Sequence, residues 1–150
     1  MKESPQNKKL EEILRSAKLV AGGFMGSDTR SVSEIIDADA LVLSRSDYTA
    51  EQVAHRMQEI TDMAIDGLGT WVSIDEHRQA KVDEAKGSQP CPWPHIGRFA
   101  KRVTTVKHTD SNRTVMWSDL NIHLIGEHGF FEGKGSNFRI DPEELISLIF

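Results

Sequence analysis

One cysteine and three histidines in the second half of the chain have the side-chain chemistry of metal ligands. Cys91 and His95 stand at the two ends of the proline-rich segment "CPWPH", and His123 and His128 follow in "NIHLIGEH". Thiolate sulfur and imidazole nitrogen are ligands that zinc prefers, and four of them complete a tetrahedral site. These four residues therefore define one candidate zinc site.

The spacing of the two later histidines favours a different role for them. His123 and His128 are five positions apart, so on an ideal α-helix they lie about 140° apart, on either side of an apolar stripe. A histidine beside such a stripe is more often a hydrogen-bonded core residue than a ligand, and one cysteine with three histidines is an uncommon zinc set. The sequence therefore favours histidines paired with backbone or carboxylate groups. A metal-dependent hydrolytic enzyme that uses all four residues is the alternative.

The stretch "GFFEGKGSNFR" is a second candidate site, for an anion or a small ligand. It lacks the P-loop pattern, because three residues and not four separate its first two glycines. A glycine-rich turn can still expose backbone N–H groups, and Lys134, Ser136 and Arg139 add donors, so these three are candidate ligand-binding residues. The competing interpretation is a structural turn, which predicts a positive φ at Gly133 or Gly135.

Basic residues concentrate in one part of a chain whose net charge is −5. Residues 98–113 hold five Lys or Arg against Asp110 alone, and aromatic residues lie nearby, a combination typical of single-stranded nucleic-acid binding. The alternation of a strand, however, places Arg98 and Arg102 on the face opposite Lys101. Nucleic acid is therefore an alternative partner and not the expected one, because phosphate binding needs clustered charge.

The composition is that of one ordinary globular domain. The chain has 150 residues, of which 38% are hydrophobic and 27% charged, so it can bury a core and is not globally disordered. The first nine residues are polar and lysine-rich, which predicts a flexible tail over 1–9 and a single domain over 10–150. No segment has the pattern of a signal peptide or membrane span, and the lone cysteine excludes an intrachain disulfide. We therefore expect a cytoplasmic protein that does not bind a membrane.

The spacing of apolar residues along the chain changes from that of a helix to that of a strand and back. Helical spacing and capping residues predict helices over residues 10–21, 31–43, 49–67, 118–127 and 141–149. Alternation and turn residues predict strands over 70–75, 78–85, 98–108 and 113–117. Three prolines predict a stiff loop over residues 87–97. This order predicts an α+β fold: N-terminal helices, a four-stranded mainly antiparallel sheet, then two C-terminal helices.

Two stretches, "GGFMGSDTR" and "SDLNIHLIGEHGFFEGKGSNFRIDP", resemble a bacterial family of small conserved hypothetical proteins. The resemblance implies no particular activity, and no residue role is carried over from it. No nucleophile, base and orienting partner form a recognisable motif either, so no catalytic residue is assigned. We expect a binding or accessory module for a small molecule or a protein. Its site should lie where the helix of His123 and His128, the Gly133–Ser136 turn and the Cys91 loop meet.

Overall fold

The computed structural model describes residues 5–17, 19 and 22–150, and five helices and one four-stranded sheet lie within them. In chain order the elements are α1 (Pro5–Arg15), α2 (Val32–Arg45), α3 (Ala50–Ile65), β1 (Val72–Asp75), β2 (Arg78–Pro90), β3 (Arg98–His108), β4 (Arg113–Ser118), α4 (Asp119–His128) and α5 (Pro142–Ile149). The predicted α+β fold is confirmed. Every strand pair is antiparallel, in the order β1-β2-β3-β4.

Local side-chain hydrogen bonds fix where three of the helices begin. Ser31, Thr49 and Ser118 are the N-caps of α2, α3 and α4, and each forms a reciprocal capping box with the residue three positions later. Each box satisfies two backbone N–H groups that the helix itself leaves without partners. At its other end, α4 stops at Gly129, whose φ of 64° lies in the left-handed region that glycine adopts readily. The helix starts expected at Thr49 and Ser118 are confirmed.

The loop predicted over residues 87–97 is shorter than expected, because β2 continues to Pro90. Residues 88–90 pair with residues 98–100 of β3, after an irregularity between Glu84 and Ser88. A proline is tolerated there because β1 pairs with β2 only as far as Ala80, which leaves the outer edge of β2 without a strand. The missing proline N–H therefore removes no bond from a central ladder.

Helix α1 begins at Pro5, ahead of the apolar positions that predicted it. Proline suits the first turn of a helix, where its missing N–H would have had no partner. Residues 5–9 of the expected tail are helical and exposed, and residues 1–4 lie outside the described residues. The helix ends at Arg15, before the predicted end at Ala21, which also lies outside the described residues.

Helix α4 forms a wall shared by two apolar cores. Ile122 and Ile125 pack into a core with α3, α5 and the inner face of the sheet, where Trp117 is fully buried. Leu120 and Leu124 pack into a second core with α1, α2 and the segment that joins them. None of the helices in the described part of the chain has the length and apolar composition that crossing a bilayer requires.

Candidate metal centre

Two separate segments bring together the Cys/His cluster, which we define as Cys91, His95, His123 and His128. Cys91 directly follows the last residue of β2, and His95 follows in the loop, where its backbone N–H donates to the carbonyl of Trp93 at 2.8 Å. His123 and His128 both lie on α4, and His128 is its last residue. The long β2–β3 hairpin thus presents its connecting loop to the C-terminal half of α4.

The four ligand atoms lie within 4.8 Å of one another. Nε2 of His128 is 3.5 Å from Sγ of Cys91 and 3.2 Å from Nε2 of His95. Nε2 of His95 is in turn 3.1 Å from Nε2 of His123. With metal–ligand bonds of roughly 2.0–2.3 Å, the ligand atoms of a tetrahedral zinc site are about 3.3–3.6 Å apart. The cluster therefore has the ligand types and nearly the spacing of a four-coordinate metal site.

His95 bridges the two helical histidines, whose separation around α4 argued against a shared site. Its ring centroid lies 4.9 Å from that of His123 and 5.4 Å from that of His128. In the described part of the chain, the hydrogen-bond contacts of the two helical rings go to His95 and Cys91. The pairing with backbone or carboxylate groups that the sequence favoured is not found there.

Aromatic side chains hold two of the rings in place. Trp93 stacks on His128 with ring centroids 4.1 Å apart and planes 9° apart, and Phe99 stacks on His123 at 4.4 Å. Cys91 is buried beside them, whereas His95 is the most exposed member of the cluster. These contacts restrict the ring orientations, which favours ligand binding because less side-chain entropy remains to be lost.

Burial disfavours the charged form of both helical histidines. Together with the neighbouring His123 and His95, it lowers the pKa of His128 to about 4, while the Glu127 carboxylate opposes the shift. Burial and the nearby His95 likewise lower the pKa of His123. Burial raises the pKa of the Cys91 thiol. A metal ion binds neutral imidazole and thiolate, so the lowered pKa values of the two histidines favour binding, whereas the thiol must release a proton.

The three candidate ligand-binding residues lie near one another but have different surroundings. The guanidinium of Arg139 donates to both carboxylate oxygens of Asp39, at 2.6 and 3.0 Å, and to the carbonyl of Glu132 at 2.9 Å. The hydroxyl of Ser136 donates to Oε1 of Glu132 at 3.0 Å. Lys134 is exposed. Arg139 therefore serves a buried ion pair, which leaves it little capacity for a ligand anion.

The Gly133–Ser136 turn has a structural explanation, as the alternative interpretation predicted. Gly135 has a φ of +90°, and a Cβ on Gly133 would lie 2.3 Å from the carbonyl oxygen of Met25. The backbone N–H of Gly133 donates to the carbonyl of Phe24 at 2.8 Å. The turn is thus packed backbone to backbone against residues 22–28, an approach that a side chain would prevent.

The basic side chains of β3 do not form one unpaired surface. Arg98 donates to the hydroxyl and the carbonyl of Ser88 on β2. Arg102 forms an ion pair with Asp119 at 2.7 Å. The ammonium group of Lys107 lies 4.6 Å from the centre of the Trp71 ring. This distribution gives no support to a continuous phosphate-binding groove.

Glu132 is a candidate functional residue that the sequence reasoning missed. Its side chain is buried, and its backbone φ of 69° is positive, which is unusual for a residue other than glycine. The only signal in the sequence is a single acidic residue between two phenylalanines and a glycine. That pattern indicates neither the burial nor the strain.

Similarity to other proteins does not identify the function. No family model, curated protein or solved structure matches the chain. The function must therefore be inferred from the chemistry of the Cys/His cluster and of the residues around α4.

Proposed function

We propose that this protein is a metal-binding module that holds a zinc ion in the Cys/His cluster. The observation that supports the proposal is the convergence of one sulfur and three imidazole nitrogens within 4.8 Å. Sulfur and nitrogen ligands favour zinc over magnesium or calcium, which take oxygen ligands. A bound ion would tie the loop of residues 91–97 to α4, so that its binding free energy adds to the stability of the fold.

Binding is favoured over hydrolysis because the protein offers four ligands. A catalytic zinc site usually has three protein ligands and one open position, where a bound water is activated. The hydrolytic alternative therefore requires that one of the four does not coordinate. His95 is the member to test, because it is exposed and lies in a loop, whereas the two helical histidines are fixed by α4.

Metal analysis of the untagged protein tests the proposal. We expect about one zinc per chain, removal by a strong chelator, and a lower melting temperature after removal that added zinc restores. Cys91→Ser, His123→Ala and His128→Ala should each lower the zinc content and abolish the response to chelator. His55→Ala is the matched control, because His55 is an exposed histidine on α3, outside the cluster.

Two outcomes would change the proposal. A protein that is isolated without metal and whose melting temperature does not respond to zinc would contradict it. A His95→Ala variant that still holds one zinc would show three protein ligands and an open position, and would favour the hydrolytic alternative. Circular dichroism spectra of all variants show whether a loss of zinc has a cause other than unfolding.

A further inference from the structure

A cavity of about 320 Å³ lies near the N-terminal end of α4, away from the Cys/His cluster. Four apolar side chains form much of its wall: Phe24, Val103, Leu120 and Phe138. Glu132 and Lys101 also line it. Glu132 is 4% exposed, whereas Lys101 is an exposed residue. The volume is at the lower end of the range of small-molecule sites.

Glu132 is held in this cavity at an energetic cost. Its carboxylate accepts hydrogen bonds from uncharged donors, Nδ2 of Asn121 at 2.7 Å and Oγ of Ser136 at 3.0 Å. The nearest guanidinium, that of Arg139, contacts only its main-chain carbonyl and pairs with Asp39. Burial without a cationic partner and a left-handed backbone are both unfavourable. Residues that combine such costs are concentrated at functional sites.

The hydrogen-bond network fixes the position of the carboxyl group. The backbone N–H of Ser118 donates to Oδ1 of Asn121 at 2.8 Å, so the amide group of Asn121 must direct its NH₂ towards Glu132. Burial raises the pKa of Glu132 to about 7. A carboxyl group with such surroundings can exchange a proton near neutral pH and has lone pairs left for a further donor.

Two basic residues, Lys101 and Arg102, line the cavity. The charge of Arg102 is compensated by Asp119 at 2.7 Å. Lys101 has no ion pair within the part of the chain that the structure describes. The residues that line the cavity thus supply a cation, apolar side chains and a buried hydrogen-bond acceptor. A complementary ligand carries an anionic group, an apolar body and a hydrogen-bond donor.

We propose that this cavity binds a small organic acid with an apolar body and a hydroxyl group. Its carboxylate lies at Lys101, its body packs against Phe24 and Leu120, and its hydroxyl donates to Glu132. This site does not depend on the metal proposal, since none of the Cys/His cluster lines the cavity.

Nuclear magnetic resonance titrations with 4-hydroxybenzoate and benzoate test the site. Both acids should cause saturable shifts of backbone amides lining the cavity, among them Lys101, Ser118 and Glu132. At about pH 8, above the pKa of Glu132, we expect 4-hydroxybenzoate to bind about tenfold more tightly, because its hydroxyl adds a hydrogen bond to a carboxylate. The titrations use the full chain in its isolated metal state.

Three variants separate the roles of Glu132 and Lys101 in binding. Glu132→Gln should reduce the advantage of 4-hydroxybenzoate to less than about threefold, since a hydrogen bond to a neutral amide is weaker. Lys101→Gln should weaken both acids by a similar factor of about two to five. Lys107→Gln is the control on the same strand, because Lys107 contacts Trp71 and does not line the cavity.

Several results would overturn the proposal. These are the absence of saturable shifts at millimolar ligand, shifts confined to residues outside the cavity, and tighter binding of benzylamine than of benzoate. An unchanged advantage of 4-hydroxybenzoate in Glu132→Gln would contradict the role of that residue. The spectra of the free variants establish that each is folded.

Discussion

Polar side chains cluster at both ends of α4, but the two clusters differ in how their donors and acceptors are paired. Near the N-terminus, Ser118, Asn121 and Glu132 form a chain in which each donor meets an acceptor. In the C-terminal half, three imidazole nitrogens and a sulfur face one another, and a neutral imidazole has only one N–H to offer. The members of the first group have hydrogen-bond partners within the protein. The second has the ligand types of the metal site proposed above.

Both ends also depend on a segment from elsewhere in the chain. The Cys/His cluster needs the loop of residues 91–97, which the β2–β3 hairpin carries to α4. The network needs the Gly133–Ser136 turn, which directly follows Glu132 and is packed against residues 22–28. Because the loop of residues 91–97 and the Gly133–Ser136 turn are separate segments, a substitution can disturb one of them and leave the other in place.

The largest effect is expected from Gly133→Val, which disrupts the backbone packing beside the hydrogen-bond network at the N-terminal end of α4. A Cβ there would lie 2.3 Å from the carbonyl oxygen of Met25, so the backbone of one segment must move. We expect the free energy of unfolding to fall by more than about 3 kcal/mol in urea titrations. The zinc content should change little wherever the variant still folds.

Gly87→Ala is the control for Gly133→Val. Unlike Gly133, Gly87 has a left-handed backbone, with a φ of +96°, but a Cβ at this position would meet no atom within 4 Å. Its cost should therefore be limited to backbone strain, about 1–2 kcal/mol. Equal losses in the two variants would show that the close approach to Met25 is not what requires glycine at position 133.

The next largest effect is expected from Arg139→Gln. The substitution leaves Asp39, which is 4% exposed, without its cationic partner, and should lower the free energy of unfolding by about 3 kcal/mol. Arg113→Gln removes an exposed pair with Glu144 at 3.8 Å and should cost less than about 1 kcal/mol. If both variants were equally stable, Arg139 would be available for the ligand-binding role that the sequence indicated.

Glu132→Gln should change how stability depends on pH. The folded protein holds the proton of Glu132 up to about pH 7, whereas an ordinary glutamate loses it near 4.5. The free energy of unfolding should therefore fall as the pH rises through this window, by about 2–3 kcal/mol, and stay level above it. In the Gln variant that contribution is absent. Parallel pH profiles of the two proteins, measured at equal zinc content, would contradict the assigned pKa.

The smallest effect is expected from the basic residues of strand β3. We expect no salt-dependent, micromolar affinity for a fluorescent single-stranded oligonucleotide in anisotropy measurements, because the basic groups are dispersed. If such binding were observed, the combined change of Arg98, Lys101 and Arg102 to Ala should abolish it. That result would favour the nucleic-acid alternative.

The parts of the fold that depend on near neighbours were predictable from the sequence. The capping box of Thr49 with Gln52, the cap at Ser118 and the left-handed stop at Gly129 each involve residues within four positions. The extent of β3 was also predictable, because turn residues bound it on one side and the proline-rich segment on the other. The continuation of β2 to Pro90 was not, because it depends on which edge of that strand has a partner.

The candidate sites were only partly predictable. The sequence named the four members of the Cys/His cluster as one set, but angular spacing placed His123 and His128 apart. What joins them is His95, whose position depends on the length of the β2–β3 hairpin. Glu132 gave no usable signal, because its burial and strain come from contact with a distant segment. Geometry of this kind is not encoded in local spacing.

The backbone contact between residues 22–28 and the Gly133–Ser136 turn also affects the order in which the protein assembles. The hydroxyl of Ser27 donates to the carbonyl of Lys134, across 107 positions of sequence. Closing so long a loop has a large entropic cost, and contacts of this separation slow folding. During synthesis, the contacts of residues 22–28 with this turn must wait until nearly the whole chain has emerged. We therefore expect this segment to reach its final packing late, with its apolar residues exposed to chaperones and proteases until then.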